Sequence, residues 1–335
     1  MSLVLSDTDG VVDRRQPEGL TLAGHPQHAV GIDLGGGSIK GALVAADGRI
    51  EAQDRCPTDV ESGEHGVADR IAALFESLRD GHGLSNDHIA GVGIGVPGVA
   101  TSEGDVIIAP NLHWRHVPFK RILEERIRLR VEIDNDASVA AIGEARLGAG
   151  RGCESLFLIT LGTGIGGGLV LGGGIHHGAS FAAGEIGHVC MDPDGPVCGC
   201  GKKGCLEAFT SGPAMVRYVR RRLPEAVSTS LSNTESLSPE TICTAAKNGD
   251  SLACEAVARV ARYLGIAIAN IINVISPDVI AIGGGISAAG RVLLDPIDAA
   301  AREYTLEGMF DHTRILPAKL GNDAGVLGAS RLVLK

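Results

Sequence analysis

Aromatic residues are scarce in this chain: phenylalanine, tryptophan and tyrosine make up only 3% of its 335 residues. Glycine is instead abundant, with 48 residues. Few aromatic residues and many glycines suit a fold in which glycine turns join aliphatic strands. The length is sufficient for a large core and favours two domains.

An excess of basic charge is also missing. The net charge is −10 and the pI is about 5.6, which disfavours a nucleic-acid-binding surface. Apart from Arg217 and the run Arg220 to Arg222, which have helical spacing, the sequence contains no basic cluster. We therefore predict no nucleic-acid partner.

No apolar run is long enough to cross a bilayer, which takes about 20 residues. The longest run, residues 265–275, is much shorter. The N-terminus contains Asp7, Asp9 and Asp13 and lacks the apolar segment of a signal peptide. Residues 1–28 show no periodicity and are predicted to be a flexible extension. These features predict a soluble cytoplasmic protein without a membrane partner.

The eight cysteines are unevenly spread, unlike those of a secreted disulfide framework. Cys198, Cys200 and Cys205 alternate with glycines, so tight turns can bring three thiolates together. His188 lies ten residues before the first of them. Three sulfurs and one imidazole predict a closed tetrahedral site for structural Zn²⁺. Cys190 is instead interpreted as a buried apolar cysteine.

Two glutamates flank this predicted zinc site. Glu185 precedes His188 by three residues, and Glu207 follows Cys205 by two. A metal that orders the loop would also fix both carboxylates, which are suited to bind neighbouring hydroxyl groups of a sugar. His188 can bind metal through one ring nitrogen and donate a hydrogen bond through the other. A solvated surface carboxylate is the alternative for each glutamate, above all for Glu185.

Two segments, residues 29–44 and 156–170, share a strand, glycine turn, strand pattern. Apolar runs joined by a turn too short for a helix indicate β-hairpins. Backbone N–H groups in such turns can bind phosphate, and Asp33 at the end of the first strand can hold Mg²⁺ through water. The repeated pattern predicts a duplicated architecture with a nucleotide between the two halves.

A second polar centre is the run Asp134, Asn135 and Asp136, which follows a predicted strand and precedes a helix of small residues. A carboxylate at the end of a strand, above a helix N-terminus, is rigidly directed into a cleft. Asn and Asp are also frequent N-cap residues. We expect Asp134 to serve only as the cap.

Helical periodicity predicts further elements. The predicted helices are residues 65–80, 119–129, 239–248, 250–275 and a terminal helix, 321–334, that crosses back to the first domain. Buried or short strands are predicted at 89–96 and 106–108.

Gly-Glu-Ile-Gly-His at 184–188, followed by Cys-x-Cys-Gly-x-x-Gly-Cys-Leu-Glu at 198–207, resembles the signature of the ROK family of sugar kinases and sugar-responsive repressors. The resemblance begins near Val30 and is closest to the bacterial ROK glucokinases. It implies the α/β actin-like ATPase and sugar kinase fold, which is ribonuclease H-like and has two domains with a cleft between them. We expect a small domain at 29–146 plus 322–335 and a large domain at 147–321 with the zinc loop.

The resemblance also implies the activity, an ATP-dependent hexose kinase that uses Mg²⁺ and is most similar to glucokinase. Asp136 is implied as the general base that accepts the proton of the sugar 6-hydroxyl. The implied sugar contacts are Gly98, Asn111, Asn135, Asp136, Glu185, His188 and Glu207. The expected nucleotide and magnesium contacts are Asp33, Gly35, Gly36, Gly37, Ser38, Lys40, Gly162, Thr163, Gly164, Gly283, Gly284 and Gly285, the last three beside the adenosine. Family members commonly form dimers or tetramers, so a homodimer or homotetramer is expected.

The sequence departs from the family pattern at one position. Family members usually have Thr where this chain has Gly37, so Ser38 is expected to supply the hydroxyl, and polyphosphate is an alternative phosphoryl donor. N-acetylmannosamine, N-acetylglucosamine, fructose and allose are alternative sugars, although the spacing of Asn111 and Trp114 favours glucose. Trp114 is equally compatible with a core position and with a sugar platform.

Two alternatives belong to other functional classes. The first is a sugar-sensing regulator without catalysis. ROK repressors carry a helix-turn-helix domain before the sugar domain, and fewer than thirty residues precede Ala29 here. The second is an actin-like ATPase or chaperone, in which the zinc loop and the two glutamates would have no role.

Overall fold

Two five-stranded sheets form the core of the computed structural model, which describes residues 26–233 and 237–334. The first sheet contains, in spatial order, β3 (Ile50–Pro57), β2 (Ser38–Ala45), β1 (His28–Leu34), β4 (Ile89–Val96) and β8 (Val131–Asn135). The second contains β11 (Gly174–Ile175), β10 (Ile165–Leu171), β9 (Leu156–Leu161), β12 (Val279–Gly283) and β13 (Arg314–Pro317). Residues 1–25 of the predicted extension lie outside the described ranges, and His28 already begins β1.

Both sheets have the same topology. In each, an antiparallel hairpin (β1–β2 or β9–β10) gains a third antiparallel strand on one side. Two parallel strands follow on the other side: β4 and β8 in the first sheet, β12 and β13 in the second. This correspondence confirms the duplicated architecture that the two hairpin patterns predict.

A small antiparallel sheet packs onto the core of the first half. It contains β5 (Val99–Ala100), β6 (Val106–Ala109) and β7 (Trp114–Val117). Trp114 is buried, and the centre of its ring lies 4.5 Å from that of Phe119. Trp114 is therefore a core residue and not a sugar platform.

The helices surround the two large sheets. They are α1 (Gly63–Asp80), α2 (Phe119–Ile127), α3 (Asp136–Leu147), α4 (Leu206–Thr210), α5 (Gly212–Arg222), α6 (Pro239–Lys247), α7 (Ser251–Ile275), α8 (Arg291–Tyr304) and α9 (Ala324–Ser330). The apolar face predicted for α1 is buried in full, with Val67, Ile71, Leu74, Phe75 and Leu78. Its burial confirms the helical periodicity there.

Helix α7 is long and apolar enough, by length and composition alone, to cross a membrane. Its apolar residues have a different explanation, because they pack into the core of the second half together with α8. Val260, Leu264, Ile268 and Ile272 are each at most 1% exposed. The hydropathy of α7 is thus that of a core helix.

Helix α9 confirms the predicted return of the chain to the first half, although it is shorter than predicted. It lies directly against the backbone of β1 and β4. A Cβ atom at Gly31 would lie 1.9 Å from the carbonyl oxygen of Val326, and one at Gly93 would lie 1.8 Å from that of Ala329. Only glycine permits this approach. The helix begins late because Gly321–Asp323 forms a tighter 3₁₀ turn.

Candidate active site

A cleft of about 1470 Å³ is lined by residues from both halves of the chain. Of the predicted sugar and nucleotide contacts, those that line it are Asp33, Gly35, Ser38, Lys40, Asn111, Asp136, Gly162, Thr163, Gly164, Glu207, Gly283, Gly284 and Gly285. Six others are not among the lining residues: Gly36, Gly37, Gly98, Asn135, Glu185 and His188. The cleft therefore brings together residues that are distant in sequence, and three of the remaining six, Gly36, Gly37 and Asn135, are direct sequence neighbours of lining residues.

The turns of the two hairpins open into this cleft. In the β1–β2 turn, the N–H of Gly35 donates to the carbonyl of Ser38 at 2.9 Å; in the β9–β10 turn, Gly162 donates to Gly164 at 3.0 Å. Within the described residues, the N–H groups of Thr163 and Gly164 make no hydrogen bond. Such free N–H groups can bind an anion such as a phosphate.

Gly37 stands at the exposed tip of the first turn. A Cβ atom at this position would have no neighbouring atom within 4 Å, and its φ is not positive. Neither crowding nor backbone strain would therefore prevent a threonine at this position. Ser38, the next residue, is exposed and lines the cleft.

The third glycine turn follows β12. Gly284 has a φ of 85°, and a Cβ atom there would lie 2.3 Å from the carbonyl oxygen of Leu161. Both facts require glycine. Because Leu161 ends β9, this turn lies beside the turn that begins at Gly162, as expected for two parts of one nucleotide site.

Asp33 and Lys40 place opposite charges at the wall of the cleft. Burial raises the pKa of the Asp33 carboxyl, and the nearby charge of Lys40 partly offsets this rise. The Lys40 ammonium donates to Asp323 Oδ1 at 2.6 Å and to the carbonyl of Asn322 at 2.8 Å. Lys40 thus links β2 to the segment that leads into α9.

The N-cap of α3 is Asn135, so the prediction that Asp134 is the cap is wrong. Asn135 Oδ1 accepts from the N–H groups of Ala137 and Ser138, each at 3.0 Å. Helix α3 starts at Asp136, and the residue just before a helix is the one placed to cap it. The Asn135 amide also donates to the carbonyl of Gly98 at 2.9 Å and to Asp136 Oδ1 at 3.1 Å.

Asp136 has the electrostatics of a general base for near-neutral pH. Burial raises the pKa of its carboxyl to about 6, and the charges of Asp33 and Glu185 add to the rise. A hydrogen bond from the N–H of Ala137 acts in the opposite direction. The Asp136 side chain is exposed to solvent where it faces the cleft, and protein atoms surround its carboxylate on the other sides. A base of this kind accepts protons efficiently near its own pKa.

The four predicted zinc ligands converge. The ligand atoms of His188, Cys198, Cys200 and Cys205 all lie within 4.8 Å of one another. The sulfurs of Cys200 and Cys205 are 3.7 Å apart, and Cys198 Sγ is 3.8 Å from His188 Nδ1. A tetrahedron with Zn–S bonds of about 2.3 Å has edges of about 3.8 Å, so the arrangement fits Zn²⁺.

Cys190 is exposed, so the interpretation of this residue as a buried cysteine is wrong. Its backbone pairs with that of Cys205, and its sulfur lies 3.8 Å from the carbonyl of Lys203. The side chain therefore stays outside the cluster.

The two predicted sugar-binding glutamates both contact the cysteine loop or its histidine. Glu207 Oε2 accepts from the N–H of Ile165 at 3.0 Å, and its other oxygen lies 3.3 Å from Cys198 Sγ. Glu185 Oε2 lies 3.9 Å from His188 Nε2, the ring nitrogen that does not face Cys198. His188 thus directs one nitrogen to the metal cluster. The other nitrogen is too far from Glu185 for a hydrogen bond, so its role as a donor stays a prediction.

Neither Glu144, which lines the cleft, nor His177, which bonds to Asp134, is among the predicted site residues. His177 Nε2 lies 2.6 Å from Asp134 Oδ2. Glu144 is fully buried in α3 and accepts three backbone N–H groups, from Ala149, Lys319 and Leu320. The signal available in the sequence was a carboxylate among apolar residues, which requires partners but does not identify them.

A duplicated α/β fold, with glycine turns and a strand-end carboxylate around one cleft, defines the class of actin-like ATPases and sugar kinases. The chain belongs to the ROK family, whose model matches residues 29–335.

Individual relatives agree with this assignment. The chain is 40% identical to a glucokinase of Halalkalibacterium halodurans over 91% of its own length and 94% of the relative. It is also similar to the structure of a Streptomyces griseus ROK glucokinase in complex with glucose and AMPPNP. The TM-score is 0.76 and the identity 36%, with coverage of 91% of this chain and 99% of that one. A xylose repressor of Caldicellulosiruptor bescii is 30% identical over 91% of this chain and 77% of the repressor.

Proposed function

We propose that this chain is an ATP-dependent glucokinase, which converts glucose and ATP into glucose 6-phosphate and ADP. The observation that carries the proposal is Asp136, a carboxylate with a raised pKa that lines the same cleft as Gly35, Ser38 and the glycine turn at 162–164. Relatives named glucokinase, at 35–40% identity over most of the chain, support the same activity.

The sugar is bound by groups from both halves of the chain. These are Asn111, Asn135, Glu185, His188, Glu207 and the backbone at Gly98. Asp136 accepts the proton of the 6-hydroxyl while that oxygen attacks the γ-phosphorus in line. The new bond joins the sugar oxygen to phosphorus, and the bond to the β–γ bridging oxygen breaks as ADP leaves. Phosphoryl transfer of this kind depends mainly on positioning and on stabilisation of charge.

The nucleotide is bound by the glycine turns. The turns at 35–37 and 162–164, with Ser38 and Lys40, contact the phosphates, and the turn at 283–285 lies beside the adenosine. When the two halves close over the substrates, water is excluded as a competing nucleophile.

Two metal ions complete the site in this proposal. Asp33, whose carboxylate lines the cleft near Asp136, would hold Mg²⁺, and the ion would neutralise phosphate charge. His188, Cys198, Cys200 and Cys205 would hold Zn²⁺, and the ordered loop keeps Glu207 in place.

ATP is favoured over polyphosphate by the charge of the cleft. The lining includes two basic residues, Lys40 and Arg55, against five carboxylates: Asp33, Asp54, Asp136, Glu144 and Glu207. A long polyanion requires an extended basic track, which this lining does not provide.

The remaining proposals rest on the family resemblance and on composition. We propose a cytoplasmic homodimer or homotetramer without nucleic-acid or membrane partners. The small domain comprises 29–146 plus 322–335 and the large domain 147–321.

The direct test is ATP consumption with Mg²⁺ across glucose, fructose, allose, N-acetylglucosamine and N-acetylmannosamine. Glucose-dependent turnover is expected, and Asp136→Asn should lower it by about 10²–10⁴-fold with glucose binding nearly intact. Turnover with another sugar alone would replace glucose as the substrate. Tight sugar binding without turnover on ATP or polyphosphate would instead support a sugar-sensing regulator, the class to which the xylose repressors belong.

A further inference from the structure

The carboxylate of Asp134 is held from two sides. Its Oδ2 lies 2.6 Å from Nε2 of His177, and its Oδ1 accepts from the N–H of Asn135 at 2.7 Å. Asp134 is only 5% exposed, and its bond to His177 joins the two halves of the chain. A buried carboxylate is stable only when it is paired in this way.

His177 also closes a turn in the loop that leads to Glu185. Its carbonyl accepts from the N–H of Ala183 at 3.0 Å, so residues 177–183 return on themselves. The chain then passes Gly184, which packs so closely on β10 that a Cβ atom at Gly167 would lie 2.3 Å from its carbonyl oxygen. The loop is therefore fixed at two points, by close packing on β10 and by the His177 ring on Asp134.

The two anchored segments bear the proposed general base, Asp136, and the proposed sugar contacts Asn135 and Glu185. Asp134 lies one residue from Asn135 and two from Asp136, and Asn135 in turn bonds to Asp136. Glu185, at the end of the loop, is close enough for its charge to raise the pKa of Asp136. A change in the position of His177 is thus transmitted to both sides of the sugar site.

We propose that His177 is a positioning residue, which fixes the loop bearing Glu185 relative to the strand end bearing Asn135 and Asp136. The inference rests on the proposed function, because it assigns these three residues to the sugar site. The neutral and the protonated ring can each donate from Nε2. The hydrogen bond to Asp134 raises the pKa of His177, and the positive charge of the protonated ring strengthens this bond.

Two substitutions separate donation from packing. Gln places an amide donor where His177 has Nε2, whereas Phe keeps the ring and its contact with Phe181, 6.2 Å away between centres, but cannot donate. His177→Phe should raise the KM for glucose about tenfold and lower kcat, since small misplacements of reacting groups are costly. His177→Gln should restore most of both values. His176→Ala, at the exposed neighbouring histidine, is the matched control.

Hydrogen exchange in the sugar-free protein provides a readout that does not depend on the substrate. Amides of residues 176–185 should exchange faster in His177→Phe than in the wild type, and at nearly wild-type rates in His177→Gln. If the wild type does not phosphorylate glucose, the proposed function fails. The exchange rates then still show whether the His177–Asp134 hydrogen bond holds the loop in place.

Three results would overturn the inference: unchanged loop exchange in His177→Phe, equal effects of Phe and Gln, or a fall in melting temperature without any change in exchange or KM. Should His177→Phe not fold, Asp134→Asn weakens the same bond by removing the charge. Faster exchange of the loop amides is then expected, and an unchanged rate refutes the proposal that the His177–Asp134 hydrogen bond fixes the loop.

Discussion

Glu207 accepts a hydrogen bond of 3.0 Å from the backbone N–H of Ile165, the residue that follows the glycine turn at 162–164. The other carboxylate oxygen lies against Cys198, one of the four clustered metal-ligating residues. One side chain thus connects the cysteine loop to the turn proposed to bind phosphate. Order in the loop is therefore expected to reach both the sugar site and the nucleotide site.

Loss of the metal should weaken the binding of both substrates, glucose and ATP. Cys200→Ser, or treatment with a chelator, is expected to release Zn²⁺, raise the KM for glucose and for ATP, and lower kcat at least about tenfold, because Glu207 is no longer held. The measurements are zinc content by mass spectrometry and steady-state kinetics. Cys190→Ser, an exposed cysteine outside the cluster, should keep both zinc and activity. Full activity in zinc-free protein would disprove the coupling.

The pH dependence of kcat/KM should report the ionisation of Asp136. Since the pKa of this carboxyl is raised to about 6, the active, deprotonated form increases as the pH rises through that value. The expected profile rises with a slope of one on logarithmic axes and levels above about pH 7. A profile that stays flat between pH 5 and 8 would contradict Asp136 as the base.

The same carboxyl should reduce the stability of the substrate-free protein at neutral pH. Its pKa is higher in the fold than in the unfolded chain, so its favourable contribution is full below the unfolded value and is lost as the pH rises through about 6. Asp136→Asn should therefore melt at a higher temperature than the wild type at pH 7.5. The difference should almost vanish at about pH 3, where the Asp136 carboxyl is protonated in both the folded and the unfolded chain; an equal difference at both pH values would argue against this cause.

Gly37→Thr should strengthen binding of ATP. The position has open space and a φ suitable for any residue, so the side chain adds a hydroxyl beside the phosphate turn without disturbing the fold. We expect a several-fold lower KM for ATP with little change in the KM for glucose. Gly37→Val has nearly the same shape without the hydroxyl and is the matched control. If both substitutions have the same effect, the hydroxyl is not responsible.

Glu144 should be important for stability. Its substitution by Ala leaves the buried N–H groups of Ala149, Lys319 and Leu320 without their acceptor, at a cost of about 3 kcal/mol in the free energy of unfolding. Urea denaturation measures the change. Glu154→Ala, at an exposed carboxylate on the loop before β9, should change the free energy by less than about 0.5 kcal/mol. A loss of similar size in both variants would show that burial is not the cause.

The parts of the site that could be predicted from the sequence carry local signals. The turn at Gly35–Gly37 is flanked by apolar strands, and the cysteines of the metal cluster are separated by glycines within eight residues. Asp136 follows a strand and begins a helix, so its exposure to the cleft follows from two neighbouring elements. In each case the relevant geometry is set by residues close in sequence.

The parts that could not be predicted depend on contacts between distant segments. Asp134 and its partner His177 are 43 residues apart, and Glu144 is 175 residues from Lys319. The sequence indicates that a buried carboxylate needs a donor, but the donor is chosen by the way the two halves pack. The same reason explains Trp114, whose burial depends on the position of the small sheet on the first core.

The contact between α9 and the first sheet also has a consequence for protein synthesis. Strands β1 and β4 leave the ribosome early, whereas the helix that covers Gly31 and Gly93 follows more than two hundred residues later. The part of the first sheet that α9 covers consequently stays exposed until residues 324–330 have been synthesised. A nascent chain, or one truncated before α9, is therefore vulnerable to aggregation at this face.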